Sequence, residues 1–214
     1  MKKKEVKDLG NRQGTAVQQK GRARVKQILD AATALLIEEG YGQFTMRQLS
    51  ERLDIRLSNL QYYFPSRTLL IQKLLERFLE DYIQQISQFA VEQENTARQR
   101  VFAAIDYLLR DQQQEESCKI FWELWALSAR NPEISEVMNS FYSAYIDTVA
   151  EMLQELNLEV SSDKTKKIAV LIVSMIEGLS LVRGFGKKQH SFLSGIESEV
   201  RNSVLHLMNI GLED

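Results

Sequence analysis

The sequence predicts an all-α protein, a three-helix N-terminal unit followed by a larger helical body, and three observations carry that prediction. The 214 residues include only 2 Pro and 10 Gly. That is too few for the turns of an all-β chain and suits long uninterrupted helices. Apolar residues recur at i, i+3, i+4 and i+7 along the chain, and no segment shows the period-two alternation of a strand. Hydrophobic residues make up 44% of the chain and charged ones 26%, a balance that supports a sizeable core in one large domain or two modest ones.

Residues 1–20 are charged, Gln-rich and aperiodic, and read as a basic flexible arm. From Gly21 a helical pattern begins, with Val25, Ile28, Leu29, Ala32, Leu35 and Leu36 on one face. Gly40 terminates it. Thr45 and Gln48 form a capping-box signal, after which Met46, Leu49 and Leu53 line a short helix. The chain turns at Asp54-Ile55. A second short helix follows near Leu57 to Tyr63, anchored by Leu60 and Phe64 and stopped at Pro65. Ser66 is placed to cap a long helix over 67–91. Further helices are predicted near 96–113, 116–130, 134–157, 163–184 and 192–211. Their punctuation is Asn95, the Gln/Glu run 112–116, Asn131-Pro132, Val160-Ser161-Ser162 and Gly184-Phe185-Gly186. The domain reading is therefore an arm at 1–20, a three-helix unit at 21–66 and a body at 67–214. The helix at 163–184 is apolar nearly all round, so burial on every side implies cover from a second subunit. With Val200, Val204, Leu205, Leu207 and Met208 on the last helix, it predicts a two-fold homodimer.

Several classes are disfavoured. Two His and one Cys cannot furnish the four ligands of a structural zinc site, and no metal or other cofactor is expected. A lone Cys118 forms no intramolecular disulfide. The basic N-terminus lacks the apolar core of a secretory signal. The longest apolar run, Ile168 to Ile176, is too short to span a bilayer, so a cytoplasmic protein is expected. His190 and His206 have no nucleophile motif or Gly-rich phosphate loop near them, which argues against an enzyme. A helical adaptor that binds protein through its short-helix pair is the other competing class. Charge points elsewhere: residues 1–77 carry 15 Lys and Arg against 8 Asp and Glu, a net of +7, while 78–214 carry 12 against 21, a net of −9. The whole excess sits in residues 1–26, either as a solvated tail or as an arm on a polyanion.

The stretch 45–70, TMRQLSERLDIRLSNLQYYFPSRTLL, carries the functional signal. Two short helices joined by a tight turn are the helix-turn-helix geometry, whose second helix enters the major groove. Met46, Leu49, Leu53, Ile55, Leu60 and Phe64 hold the unit together. Arg47, Arg56, Ser58, Asn59, Gln61 and Tyr62 are left facing out, as residue types that read base edges or grip phosphates. Each has a plainer reading: Arg47 as an i, i+4 partner of Glu51, Asn59 as a cap, the Tyr62-Tyr63-Phe64 run as core.

Here the chain resembles the TetR family of transcriptional regulators. The resemblance rests on Thr45-Met-Arg-Gln-Leu-Ser50, Asp54-Ile-Arg56, Leu60-Gln-Tyr-Tyr-Phe64 and Ser66-Arg-Thr-Leu-Leu70 and covers about residues 22–75. Three positions depart from the family pattern. Asp54 stands where the turn usually has Gly, which calls for a positive φ that Asp tolerates. Arg56 replaces the usual N-cap Ser, and Gln61 replaces a Tyr. The resemblance implies phosphate contacts from Thr45, Tyr63 and Arg67. It implies base reading by Arg47, Ser58, Asn59 and Tyr62, with help from Arg56 or Gln61. It further implies a homodimeric repressor on palindromic double-stranded DNA, released by a small, largely apolar effector. An activator, or a DNA binder without a ligand, is the alternative within the family. The effector pocket is expected among Tyr107, Cys118, Phe121, Trp122, Trp125, Met138, Phe141, Tyr145 and Met175. Glu123 and Arg130 are further polar candidates. Glu177, inside its apolar helix, reads as an interface carboxylate or as a pocket anion, with the interface favoured.

Overall fold

The computed structural model describes residues 2–91, 96–156 and 160–210, with side chains over 19–88, 96–156 and 160–208. It is all-helical among the described residues. The order is α1 (Lys2–Gln43), α2 (Met46–Arg52), α3 (Leu57–Tyr63), α4 (Arg67–Val91), α5 (Ala97–Asp111), α6 (Glu115–Ser128), α7 (Pro132–Gln154), α8 (Ser162–Arg183), a 3₁₀ turn (Ser191–Leu193) and α9 (Ile196–Ile210).

Two compact units divide the chain, Met1–Leu74 and Leu75–Asp214. The division falls inside α4, two turns beyond the expected boundary at 66, because Leu70, Ile71 and Leu74 are buried with the first unit. The α1 backbone is helical from Lys2, where the sequence pattern predicts an aperiodic arm. No Pro interrupts residues 2–20 and most of them are good helix formers. Gly40, at φ 71°, stands where the sequence pattern predicts the end of the helix and instead kinks it, α1 continuing to Gln43.

In the first unit, α1 contributes Ile28, Leu29, Ala32, Leu35 and Leu36 to a core closed by Phe44, Leu49, Leu60 and Phe64. In the second, α7 packs along α8 and α6, and α9 packs on α5 and α8. The helix starts are written in cap chemistry. Thr96 and Gln99 form a reciprocal capping box on α5. The Asn131 side chain accepts from Glu133 N and Ile134 N ahead of Pro132, and Ser161 accepts from Lys164 N. The Asn95 punctuation lies outside the described residues.

The apolar character of α8 divides between two faces. Ile168, Ala169, Ile172, Val173 and Ile176 are buried in the body, whereas Val170, Leu171, Leu181 and Val182 are exposed, as are Phe185 and Phe192 beyond it. The α9 expectation needs correcting. Val200, Val204 and Met208 are buried within the chain itself, because α9 turns its apolar stripe onto α5 and α8. No described helix is long and apolar enough to cross a membrane.

Candidate nucleic-acid interface and effector cavity

The α2–turn–α3 unit is set by local bonds. The Thr45 hydroxyl accepts from Gln48 N at 3.2 Å and donates to Gln48 Oε1 at 2.6 Å. The side-chain bond takes the place of the second arm of the capping box. After Arg52 the chain reverses through Asp54 N→Glu51 O and Ile55 N→Ser50 O, both 3.0 Å. Asp54 adopts φ 50°, the one positive value outside Gly among the described residues, as its place in the turn requires. Arg56, extended at φ −66° and ψ 143°, begins α3 without a side-chain cap. Its guanidinium is left exposed at the helix start, where it has no capping role and faces solvent. A bidentate Arg52–Glu38 pair (2.5 and 2.7 Å) ties α2 to α1.

Thr45, Arg47, Arg56, Ser58, Asn59, Gln61 and Tyr62 are all exposed, Tyr62 by 82%. A tyrosine ring left this open on a core-forming helix has no packing role to explain it. It meets Tyr63, which is half-buried, edge to face at 5.1 Å. Phe64 is core. Among the described residues Arg47 forms no pair with Glu51, and the Asn59 amide caps nothing.

Arg67 is placed differently from expectation. Its guanidinium bonds the Tyr41 carbonyl and lies 4.0 Å over the Tyr41 ring. The end of α1 leaves carbonyls without intrahelical donors, and Arg67 fills one. It is half-buried, and its Nε has no hydrogen-bond partner. The side chain braces α1 against the start of α4 and is not held out toward solvent.

In the second unit Tyr82, Asp111, Gln112, Ser117, Cys118, Phe121, Trp122, Glu177 and Ser180 line a cavity. About 10 Å³ of it is open to a water-sized sphere, room for one water. Of the nine residues expected at a pocket, Cys118, Phe121 and Trp122 line this one. The other six do not, because packing and hydrogen bonds use them. Met138, Phe141 and Tyr145 are core, and Tyr145 is fully buried. Trp125 Nε1 donates to the Tyr142 hydroxyl at 2.6 Å. Tyr107 donates to Gln85 at 2.8 Å. Met175 is half-buried away from the lining. Glu123 and Arg130 are also absent from it.

The rest of the lining is polar and acidic; sequence reasoning offered the pocket as one of two readings of Glu177 and missed Asp111, Gln112, Ser117 and Ser180. Burial pushes the Glu177 carboxyl up to about 7; a Tyr142 hydrogen bond opposes this and the Asp111 charge adds to it. Burial also raises Asp111, although Ser117 donates to it at 2.8 Å. Gln112 is 6% exposed, and neither its Nε2 nor its Oε1 has a partner. No Lys, Arg or His belongs to the lining. Glu177 therefore lines the cavity, the placement that the pocket-anion reading of this residue calls for. One signal was available: Asp111 is the last residue of α5, where a carboxylate opposes the helix dipole. Among the described residues no His, Cys, Asp and Glu group is arranged to hold a metal.

Comparison with known proteins agrees with this division. Residues 28–74 match the family described as bacterial regulatory proteins, tetR family, and residues 97–192 match the C-terminal region of BetI-type transcriptional repressors. An uncharacterized HTH-type transcriptional regulator in the dhlA 5' region of Xanthobacter autotrophicus is 33% identical over 168 residues, covering 76% of this chain and 80% of that protein. The HTH-type transcriptional repressor KstR of Mycolicibacterium smegmatis is 41% identical over 59 residues, 28% of this chain and 29% of that one. Among solved structures, a TetR transcription regulator from Haloarcula marismortui superposes with a TM-score of 0.69 at 14% identity, covering 89% and 98% of the two chains. A proposed transcriptional regulator from Saccharomonospora viridis, solved in complex with choline, gives 0.69 at 19% identity over 86% and 97%.

Proposed function

Because the chain belongs to the TetR family of bacterial transcriptional regulators, we propose that it is a homodimeric repressor released from a palindromic operator by a small organic cation. The observation that carries the DNA reading is the α3 face. Ser58, Asn59, Gln61 and Tyr62 stand exposed together on a helix whose Leu60 and Phe64 are buried. Such a helix offers base-reading groups on one side and a rigid anchor on the other. Arg47, Arg56 and Thr45 supply phosphate or base contacts beside it. Arg67 acts here by fixing α1 against α4. The apolar outer face of α8 supports the dimer, since a stripe of exposed Val and Leu on a long helix needs cover.

The cavity supports the effector class. Two half-buried carboxyls walled by Tyr82, Phe121 and Trp122 favour a compact cation over the apolar ligand expected from sequence. The choline held by the Saccharomonospora viridis neighbour fits the same chemistry. An occupant larger than one water must widen this packing. Binding that prefers the widened packing shifts the protein toward that state, and only this difference in affinity does the work.

The test has two steps. DNA fragments selected by the purified protein should contain an inverted repeat, and Asn59→Ala should cost about 1–3 kcal/mol on that site and relax its specificity. Choline should then release the fragment, while its neutral carbon isostere 3,3-dimethylbutan-1-ol should not. Selection of no common sequence refutes the DNA reading, and equal release by both compounds refutes the cation reading.

A further inference from the structure

The loop after α8 carries a cation of its own onto the cavity wall. Lys187 Nζ lies 4.7 Å from the centroid of the Trp122 ring, and Trp122 lines the cavity. The loop is built to sit there. A Cβ at Gly184 would meet Ser180 O at 2.3 Å, Trp122 Cζ2 at 3.0 Å and Cys118 Sγ at 3.1 Å, so only Gly admits so close an approach. Phe185 N donates to Cys118 Sγ at 3.2 Å, and Lys187 N donates to Gly184 O at 3.0 Å. Gly186 at φ 73° turns the chain, and Gln189 Nε2 returns to Arg183 O at 3.2 Å. The result holds the Lys187 ammonium against Trp122, one wall of a site that also carries Asp111 and Glu177. Its charge is felt at the Cys118 thiol, where it opposes the effect of burial.

We propose that Lys187 is a tethered competitor for the effector, occupying the Trp122 face until a soluble cation displaces it, and so sets the concentration at which the regulator responds. The inference rests on the cation reading of the cavity. Trp122 is half-buried but the ammonium on its ring stays in water, and a solvated cation on an indole is a weak contact, which is what a displaceable occupant needs. Lys187 is exposed, so removing its charge leaves the core untouched.

The experiment titrates full-length wild type, Lys187→Met and Lys187→Arg with choline and with 3,3-dimethylbutan-1-ol, followed by tryptophan fluorescence and calorimetry. Lys187→Met should bind choline about two- to fivefold more tightly, with a smaller gain for the neutral alcohol, and Lys187→Arg should match wild type. Equal choline affinity in wild type and Lys187→Met overturns the tethered-competitor role and leaves the cation site standing. Absence of choline binding in all three proteins overturns both.

Discussion

Glu177 offers the sharpest test of the cavity, because its position has a thermodynamic consequence that needs no ligand. Its ordinary value of 4.5 is raised by burial to about 7. Below pH 4.5 the carboxyl is protonated in the folded and unfolded chain alike and costs nothing. Between 4.5 and 7 the unfolded chain loses the proton while the folded chain keeps it, so stability falls as pH rises. Above 7 the folded protein carries a buried carboxylate and the whole penalty applies. A tenfold change in proton affinity corresponds to about 1.4 kcal/mol, so the window is worth up to about 3 kcal/mol. Glu177→Gln removes the titration and keeps an oxygen near the Tyr142 hydroxyl, which lies 3.4 Å from Glu177 Oε2. Urea denaturation at fixed protein concentration, between about pH 5 and about pH 8.5, should show the variant within about 1 kcal/mol of wild type at the acid end. It should be more stable by up to about 3 kcal/mol at the alkaline end. Asp111 is common to both proteins, but its charge adds to the Glu177 shift in wild type alone and so belongs to the difference. A stability difference that does not change with pH would refute the buried position of this carboxyl. Choline should bind wild type more tightly as pH rises through about 7, and the variant should lack that dependence.

Three further outcomes are expected. Asp54→Ala should cost about 1 kcal/mol, the penalty for a left-handed backbone on an ordinary residue, and Asp54→Gly should be neutral or stabilising, as read from thermal melts. Arg67→Ala should destabilise the protein by about 1–3 kcal/mol through the lost bond to the Tyr41 carbonyl; a melting temperature equal to wild type with weakened DNA binding would instead return Arg67 to a phosphate role. Leu181→Glu, in the exposed α8 stripe, should halve the mass seen by light scattering and abolish operator binding; an unchanged mass would remove α8 from the interface.

The N-terminal unit was legible because its instructions are local. The Thr45 cap, the Pro65 stop and the Ser66 cap each act within three or four residues, and the Asp54 turn needs one unusual φ. Apolar spacing alone put Leu49, Leu60 and Phe64 inside and left Asn59 and Tyr62 outside. The helices of the body were legible for the same reason, from Asn131-Pro132 and Ser161 as well as from periodicity. Which neighbour each apolar face meets was not. Val200, Val204 and Met208 have the same spacing whether α9 packs on its own chain or on a partner, and only the tertiary arrangement turns them inward.

The cavity is the extreme case of that limit. Its lining comes from α4, α5, α6 and α8 and the turn between α5 and α6, so no window of sequence contains it. Aromatic and Met residues drew the expectation because they are large, yet size is what fills a core: Phe141, Tyr145 and Met138 are buried and do not line this cavity. Groups that leave space are those that packing cannot satisfy. Asp111 sits at the wrong end of a helix dipole, Glu177 interrupts an apolar helix, and the Gln112 amide is buried with nothing to bond. Each is costly alone. Together they surround one small volume, and a cation placed there would offset the cost of the carboxylates while an attached polar group met the amide. In a body otherwise packed with Leu and Ile, the residues that weaken the fold mark the place where a ligand can strengthen it.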